Sequence, residues 1–212
     1  NQSTIWYGVM YKKPLIVFEG IEGSGKTTHI KYVSKLLKKK KINFIKIREP
    51  GGSKNSEKIR TLILNNKSNF NYNTDLLLYL AARSENIEKI ISKNYKKKII
   101  LIDRFVDSTM AYQSYGMGIP KKIIYLINNY LVSKFKPHFT FLNIVNKKNL
   151  LNRLEKRRKK NRYDKFNYKF YRKVQNGYLK MSKNKSKYMI IDSNNSIIFN
   201  KNKIFEKINK LI

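Results

Sequence analysis

The chain has 212 residues and no cysteine, which excludes disulfides and cysteine-based metal sites. Its hydrophobic fraction of 41% is too high for a disordered chain, and its length predicts one domain with a sizeable core. The net charge of +34 attracts polyphosphates, but the lysines are spread over the whole chain among many Ile, Asn and Tyr residues, the pattern expected from A+T-rich codons.

The amino-terminal residues 1–13 contain the only tryptophan, Trp6, and show no clear period. We interpret them as a tail or an expression remnant that precedes a single domain over residues 14–212. The chain contains no long apolar run and no signal-peptide pattern, so we expect a cytoplasmic location and no membrane partner.

The first predicted element is a buried parallel strand over the apolar run Leu15–Phe18. It leads into a stretch that matches the phosphate-loop pattern G-x-x-x-x-G-K-[ST]. In such a loop, backbone N–H groups and the positive end of the following helix surround a phosphate. A glycine-rich turn without a ligand is the alternative, but the order strand, loop, helix favours a nucleoside triphosphate site. The residues expected to form it are Gly20, Ile21, Glu22, Gly23, Ser24, Gly25, Lys26, Thr27 and Thr28.

Within this loop, Lys26 supplies a cation for the β- and γ-phosphates, and the hydroxyl of Thr27 is a ligand for Mg²⁺. A later apolar strand ends in Asp103, the usual place for a carboxylate on the Mg²⁺ side of such a site. We therefore expect ATP and Mg²⁺ as cofactors.

Hydrophobic spacing predicts the rest of the chain as alternating helices and strands. The predicted helices cover 28–41, 56–64, 75–93, 121–134, 147–160, 166–181 and 199–212, and the predicted strands cover 42–47, 98–103, 139–144 and 188–192. Residues 48–52 form a predicted turn, and 104–118 a loop with a short helix. This alternation predicts an α/β fold of the P-loop NTPase type, with a parallel five-stranded sheet flanked by helices on both faces and ligands at the carboxyl ends of the strands.

The remaining sequence signals narrow the class of protein. There is no Asn-Lys-x-Asp motif of the kind that reads guanine in GTPases, and the chain is short for a motor or a helicase. A small kinase that transfers a γ-phosphoryl group to a small molecule is the best interpretation.

From Leu15 to Asp192 the chain resembles the bacterial-type thymidylate kinases, a family of P-loop nucleoside monophosphate kinases. The resemblance rests on four stretches in the expected order: Phe18–Thr28, Arg48–Gly52, Leu77–Arg83, and Asp103–Phe105 together with Ser108–Gln113. It implies phosphoryl transfer from MgATP to dTMP, giving dTDP for dTTP synthesis.

The resemblance also implies roles in holding dTMP. Arg104 matches the arginine that grips the monophosphate, and Glu22 matches an acidic residue near the sugar and the metal. Arg83 matches the arginine that reads thymine, and Tyr79 stands where the family usually stacks a Phe on the base. The other matched substrate-binding residues are Arg48, Pro50, Ser108, Thr109, Tyr112 and Gln113.

Several of these residues have a plainer alternative. Arg104 would instead pair with Asp107 on the surface, and Arg83 would be a surface charge beside Glu85 and Glu88. Tyr79 and Tyr112 would serve only in core packing.

The basic segment 153–165 resembles the family's lid. Because the phosphate loop contains no arginine, the resemblance implies that the lid supplies the arginine that offsets charge in the transition state. The candidates are Arg157, Arg158 and Arg162, against the alternative of a solvated charge run. Besides Tyr79, two positions depart from the family pattern: Asn161 replaces the Asp of the lid, and Asn143 replaces an Asp in the predicted strand 139–144.

Two alternatives to a dTMP kinase stay open at this point. One is a kinase for another deoxynucleoside monophosphate such as dUMP, and the other is a basic nucleic-acid-binding P-loop protein, favoured by the charge. The family resemblance further implies a homodimer, and we expect no specific nucleic-acid partner.

Overall fold

The computed structural model describes residues 12–212, so the predicted tail lies outside the described residues except for Lys12 and Lys13. In this range five parallel strands form one sheet in the order β2-β3-β1-β4-β5. The strands are β1 (Leu15–Glu19), β2 (Phe44–Arg48), β3 (Ile99–Asp103), β4 (Phe139–Ile144) and β5 (Tyr188–Asp192). Since β1 lies between β3 and β4, the loop that follows it opens at the centre of the sheet.

The strands are connected by helices, as the alternating pattern predicts. They are α1 (Lys26–Lys39), α2 (Lys54–Leu64), α3 (Tyr72–Asn86), α4 (Ser92–Asn94), α5 (Val106–Thr109), α6 (Lys121–Val132), α7 (Lys147–Glu155), α8 (Tyr168–Met181) and α9 (Ile197–Leu211). Two π-helical segments, Ile87–Ile91 and Met110–Gly116, continue α3 and α5, and a 3₁₀ turn covers Arg162–Lys165. None of the helices in this part of the chain is long and apolar enough to span a bilayer.

Both faces of the sheet are covered. Ile16 and Phe18 point from β1 into a cluster with α1 and α9, while Leu15 and Val17 point into a second cluster that includes residues of the Ile87–Ile91 segment and α6. This alternation follows from the two-residue period of a strand, and it confirms the predicted α/β architecture.

Several predicted element boundaries are wrong. Helix α2 begins at Lys54 rather than Ser56, because Ser53 caps it and accepts a hydrogen bond from the Ser56 N–H at 3.3 Å. Helix α3 begins at Tyr72, three residues before the predicted start, because Asn71 caps it in the same way. Residues 104–118, expected as a loop with a short helix, are mostly helical. Helix α7 ends at Glu155, whereas the predicted helix extends to residue 160. The basic run after Glu155 is therefore not helical.

Candidate active site

The phosphate loop runs between β1 and α1 with left-handed backbone at Gly20, Gly23 and Gly25. A Cβ at Gly20 would lie 2.2 Å from the carbonyl oxygen of Asn143 on β4, so the position excludes any side chain. The ammonium group of Lys26 folds back on the loop and donates to the carbonyl oxygens of Gly20 and Ile21, each at 2.8 Å. Burial, together with the positive charge of Arg104, lowers the pKa of Lys26 to about 8.

A cavity of about 790 Å³ opens beside this loop at the carboxyl ends of the strands. The cationic side chains along it outnumber the acidic ones. Most of the residues predicted from the sequence line it: Glu22, Gly23, Lys26, Thr27, Arg48, Pro50, Tyr79, Arg83, Asp103, Arg104, Ser108, Thr109, Tyr112, Gln113 and Arg157.

Some predicted residues lie outside the cavity lining. Ile21 and Ser24 are buried, Thr28 is exposed, and Gly20 and Gly25 contribute backbone shape rather than cavity surface. The lid candidates Arg158 and Arg162 are also outside it among the described residues.

Arg104 and Glu22, which both line the cavity, form an ion pair at 2.8 Å between Nη2 and Oε1. The hydroxyl of Tyr112 donates to the other carboxylate oxygen, and the Arg104 guanidinium lies over the Tyr112 ring. Burial raises the pKa of Glu22, but the charges of Arg104 and Lys26 and the Tyr112 hydrogen bond outweigh it, so the net pKa is lowered. Glu22 is therefore ionised at neutral pH, with each of its carboxylate oxygens engaged by a side chain.

The alternative pairing of Arg104 with Asp107 is wrong. Asp107 accepts a hydrogen bond from the hydroxyl of Tyr188 at 2.8 Å, on β5. Arg104 itself has left-handed backbone, with φ of 68°, which turns its side chain from the end of β3 toward the phosphate loop.

Glu19 organises this turn, and the sequence analysis did not single it out. Its buried carboxylate accepts from the N–H groups of Phe105 and Ser108 at 2.7 and 3.2 Å. The hydroxyls of Ser108 and Tyr178 donate to its other oxygen at 2.6 and 3.1 Å. The available signal was an acidic residue that ends an otherwise apolar strand directly before the first loop glycine.

Arg83 is only 2% exposed, so its interpretation as a surface charge beside Glu85 and Glu88 is wrong. Its guanidinium donates to Glu49 Oε2 at 2.8 Å, to Thr109 Oγ1 at 2.8 Å and to Asn128 Oδ1 at 2.6 Å. It also donates from Nη2 to the carbonyl oxygen of Phe105 at 2.9 Å. Four of the five N–H groups are thus engaged, and one on Nη2 has no partner among the described residues.

Glu49 is the counter-ion that the sequence analysis missed. It is buried beside Arg83 in the turn after β2, and burial raises its pKa although Arg83 opposes that effect. A buried arginine needs such a partner, so the predicted turn Arg48–Gly52 holds Arg83 in place. Arg48, the last residue of β2, pairs with Glu57 at 3.2 Å on the exposed rim of the cavity.

Three buried polar atoms of cavity-lining residues lack a hydrogen-bond partner among the described residues: Nε2 of Gln113, Oδ1 of Asp103 and Oε1 of Glu49. Such atoms are rare in folded proteins and point to a ligand. Asp103 ends β3 near the ammonium group of Lys26, and Thr27 lines the same cavity. An oxygen donor pair of this kind fits Mg²⁺, which binds through few protein oxygens and retains water.

Tyr79 and Tyr112 both line the cavity and pack against Tyr163, at ring distances of 6.0 and 5.9 Å. Core packing therefore does not account fully for either tyrosine. Each ring packs against other aromatic residues on one side and exposes part of its surface to the cavity. Burial raises the pKa of Tyr79, so its hydroxyl stays protonated.

The lid segment contributes two arginines to the cavity lining. Arg157 pairs with Asp164 at 2.6 Å, and Arg153 donates to the carbonyl oxygens of Gly23 and Ser193 at 2.7 and 2.9 Å. Arg153 lies at the edge of the predicted lid but was not among the predicted catalytic residues. Arg158 is exposed, and Arg162 pairs with Asp75 on α3.

Comparisons with known proteins agree with this geometry. A family model described as "Thymidylate kinase" matches residues 18–204. The thymidylate kinase of Acholeplasma laidlawii is 39% identical over 186 residues, which cover 86% of this chain and 92% of that protein. The thymidylate kinase of Thermosipho africanus is 38% identical, with 86% and 90% covered.

A solved structure gives the same result in three dimensions. The crystal structure of thymidylate kinase from Ehrlichia chaffeensis superposes with a TM-score of 0.73 at 30% sequence identity. It covers 93% of this chain and 98% of its own chain. Because the family model spans residues 18–204, which include the phosphate loop and the lid, the chain belongs to the thymidylate kinase family.

Proposed function

We propose that this protein transfers the γ-phosphoryl group of ATP to dTMP, giving ADP and dTDP. The observation that carries the proposal is the shared cavity. Residues of the phosphate loop, the pair Arg104 and Glu22, and the side chains of Tyr79, Arg83 and Gln113 all line this one cavity. One cavity thus contains residues that suit the donor nucleotide, the transferred phosphoryl group and the base of the acceptor. The family relationship supports the same assignment.

The mechanism that these residues support is direct in-line transfer. The acceptor phosphate is already anionic, so no general base is required. Catalysis then depends on position and on neutralised charge. Lys26 holds the donor phosphates, Arg104 holds the acceptor phosphate, and Arg157 lies on the lid side of the cavity, where it offsets the charge of the transferred group.

Thr27 and Asp103 would hold Mg²⁺, which when bound neutralises charge on the donor phosphates. A direct metal-binding role for Glu22 is not favoured, because Arg104 and Tyr112 engage its two oxygens. In the mechanism proposed here, Glu22 orients Arg104.

Base recognition follows from the unpartnered donors. Thymine presents two carbonyl oxygens. The N–H of Arg83 and the amide nitrogen of Gln113 that have no partner within residues 12–212 can donate to such acceptors. Tyr79 offers a ring face for stacking. Because Arg83 also neutralises buried Glu49, its replacement by Ala would disturb folding as well as binding, so Gln113 is the sharper probe.

The two alternatives from the sequence analysis gain no support. The family model and the relatives are thymidylate kinases, and the excess of cationic side chains along the cavity suits two nucleotide phosphates. A cytoplasmic location and the absence of a specific nucleic-acid partner stay predictions.

A homodimer is part of the same proposal. Helix α6 exposes the apolar side chains of Ile123, Leu126 and Tyr130 along one stripe, and Leu77 on the adjoining α3 is 61% exposed. Apolar residues that cluster in this way on a surface mark an interaction face, and a second copy of the chain presents the matching stripe.

The first test measures ADP release with MgATP and dTMP, dUMP, dCMP, dGMP or no acceptor. We expect strong turnover with dTMP and much weaker turnover with the others. Turnover with dUMP at the same kcat/KM would contradict dTMP as the preferred acceptor, and turnover with none would contradict the proposed kinase.

Replacing Gln113 by Leu removes the unpartnered amide while retaining bulk. We expect the KM for dTMP to rise about tenfold or more, since one buried hydrogen bond is lost. The KM for ATP and the melting temperature should not worsen, because the amide nitrogen has no partner in the described part of the chain. An unchanged KM for dTMP would remove Gln113 from base recognition.

The pKa of Lys26 predicts how ATP affinity depends on pH. The charged form binds phosphates, and bound ATP raises the pKa above its value of about 8 in the free protein. Affinity should therefore be constant below that pH and fall as the pH rises through it. Calorimetric titration between pH 7 and 9 measures this. Lys26→Arg should show a flat profile, and a flat profile for the unaltered protein would contradict the prediction.

Leu126→Lys tests the dimer, since a lysine on the stripe opposes its copy across a twofold interface. We expect sedimentation equilibrium to show a dimer for the unaltered protein and a monomer for this variant. A control, Lys136→Ala, lies in the loop after α6 and should leave the dimer intact. A monomer at all concentrations of the unaltered protein would refute the proposal.

A further inference from the structure

The middle and the end of the lid segment differ in burial and attachment. Its middle part, residues 156–160, is exposed. Its end, the 3₁₀ turn Arg162–Lys165, is bonded to the region where α2 ends and α3 begins. Arg162 donates from Nε to the carbonyl oxygen of Ile63 at 3.0 Å, and Asn66 donates to the carbonyl oxygen of Lys160 at 3.1 Å.

The strongest attachment is the carboxylate of Asp75, which is 1% exposed in the first turn of α3. Arg162 donates to one of its oxygens and the hydroxyl of Tyr163 to the other. A carboxylate buried to this extent is costly without its cation, so breaking the pair is strongly unfavourable. Asp75, Arg162 and Tyr163 therefore hold the end of the lid on α3, and we name them the lid anchor.

The anchor connects to the lid arginine in the cavity. Asp164 follows Tyr163 directly, and its Oδ1 pairs with Arg157 at 2.6 Å. Its Oδ2 accepts from the N–H of Asn161, and the Asn161 side chain in turn caps the same turn. The position of Arg157 thus depends on a turn that Asp75 fixes.

The same helix carries the proposed residues for the acceptor base. Asp75, Tyr79 and Arg83 are spaced four residues apart, so they lie on one face of α3. Tyr163 joins the two functions, because its hydroxyl bonds Asp75 while its ring packs edge-on against Tyr79. One helix face therefore holds the lid at its first turn and the base-binding residues at the next two.

We infer that Asp75 is a positioning residue that couples the acceptor site to the lid: through Arg162 and Tyr163 it sets where Arg157 lies for phosphoryl transfer. This inference rests on the proposed function. It also explains why Arg162, a predicted catalytic residue, lies outside the cavity lining, since its guanidinium holds the anchor instead.

A double-mutant cycle between Asp75→Asn and Arg157→Ala tests the inference. If Asp75 acts through Arg157, Asp75→Asn alone should lower kcat with dTMP about tenfold or more. In the Arg157→Ala background the same change should cost no more than about twofold. Equal losses in both backgrounds, or no loss in the unaltered background, would overturn the inference.

Two further variants keep the test decisive. Glu85→Gln removes a carboxylate from the same helix outside the anchor and should change kcat less than about twofold. If Asp75→Asn does not fold, the cycle is repeated with two milder variants. Tyr163→Phe removes only one hydroxyl. Arg162→Lys keeps the charge but lacks the separate Nε–H that Arg162 donates to the carbonyl oxygen of Ile63. The same pattern of non-additivity with Arg157→Ala is expected, and additivity would again overturn the inference.

The ADP-release assay on the unaltered protein distinguishes failure of the proposed function from failure of the inferred role of Asp75. If it releases ADP in response to dTMP, the proposed function stands and the cycle decides the role of Asp75. If it does not, the proposed function fails, and the role of Asp75 that rests on it fails too.

Discussion

The site depends on the hydrogen bonds that the buried carboxylate of Glu19 accepts. Glu19 ends the central strand. Three of the hydrogen bonds that its carboxylate accepts come from the turn that follows β3 and fix it, and a fourth comes from Tyr178 on α8. A carboxylate in this position is stable only because donors surround it, so the turn has little freedom to move. Arg104 leaves that turn with a left-handed backbone and reaches Glu22 in the phosphate loop. The site is thereby organised before either nucleotide binds.

Three ion pairs extend this organisation outward from the sheet. Glu22 with Arg104 joins the phosphate loop to the end of β3, and Glu49 with Arg83 joins the turn after β2 to α3. Asp75 with Arg162 joins α3 to the lid. All three have partly or fully buried partners, so loss of one member leaves an uncompensated charge. Each pair links two segments of the chain that contribute residues to the cavity lining.

Two departures from the family pattern receive a physical account. Asn143 lies at the end of β4, where its Oδ1 hydrogen-bonds Nδ1 of His29 at 2.6 Å and its Nδ2 donates to the carbonyl oxygen of Glu19 at 3.3 Å. A neutral amide satisfies a donor and an acceptor at once, which a carboxylate cannot. Tyr79 keeps an aromatic ring at the cavity, and that ring packs against Tyr163 of the lid anchor.

The alternation of strands and helices, the phosphate loop and most of the cavity lining could be predicted from the sequence. These features depend on local pattern: apolar runs, a fixed spacing of glycines and motifs that keep their order. The missed helix starts at Tyr72 and Lys54 also had a local signal, since Asn71 and Ser53 are good caps. The pairing of charged groups, in contrast, could not be predicted, because it depends on how distant segments pack. Arg83 is buried against Glu49, 34 residues away, and the partly buried Arg162 pairs with Asp75, 87 residues away. The residues next to a charged side chain in the sequence do not indicate which distant residue it pairs with. In a chain with 47 basic and 13 acidic residues, the packing of the folded chain selects the few charged residues that form ion pairs.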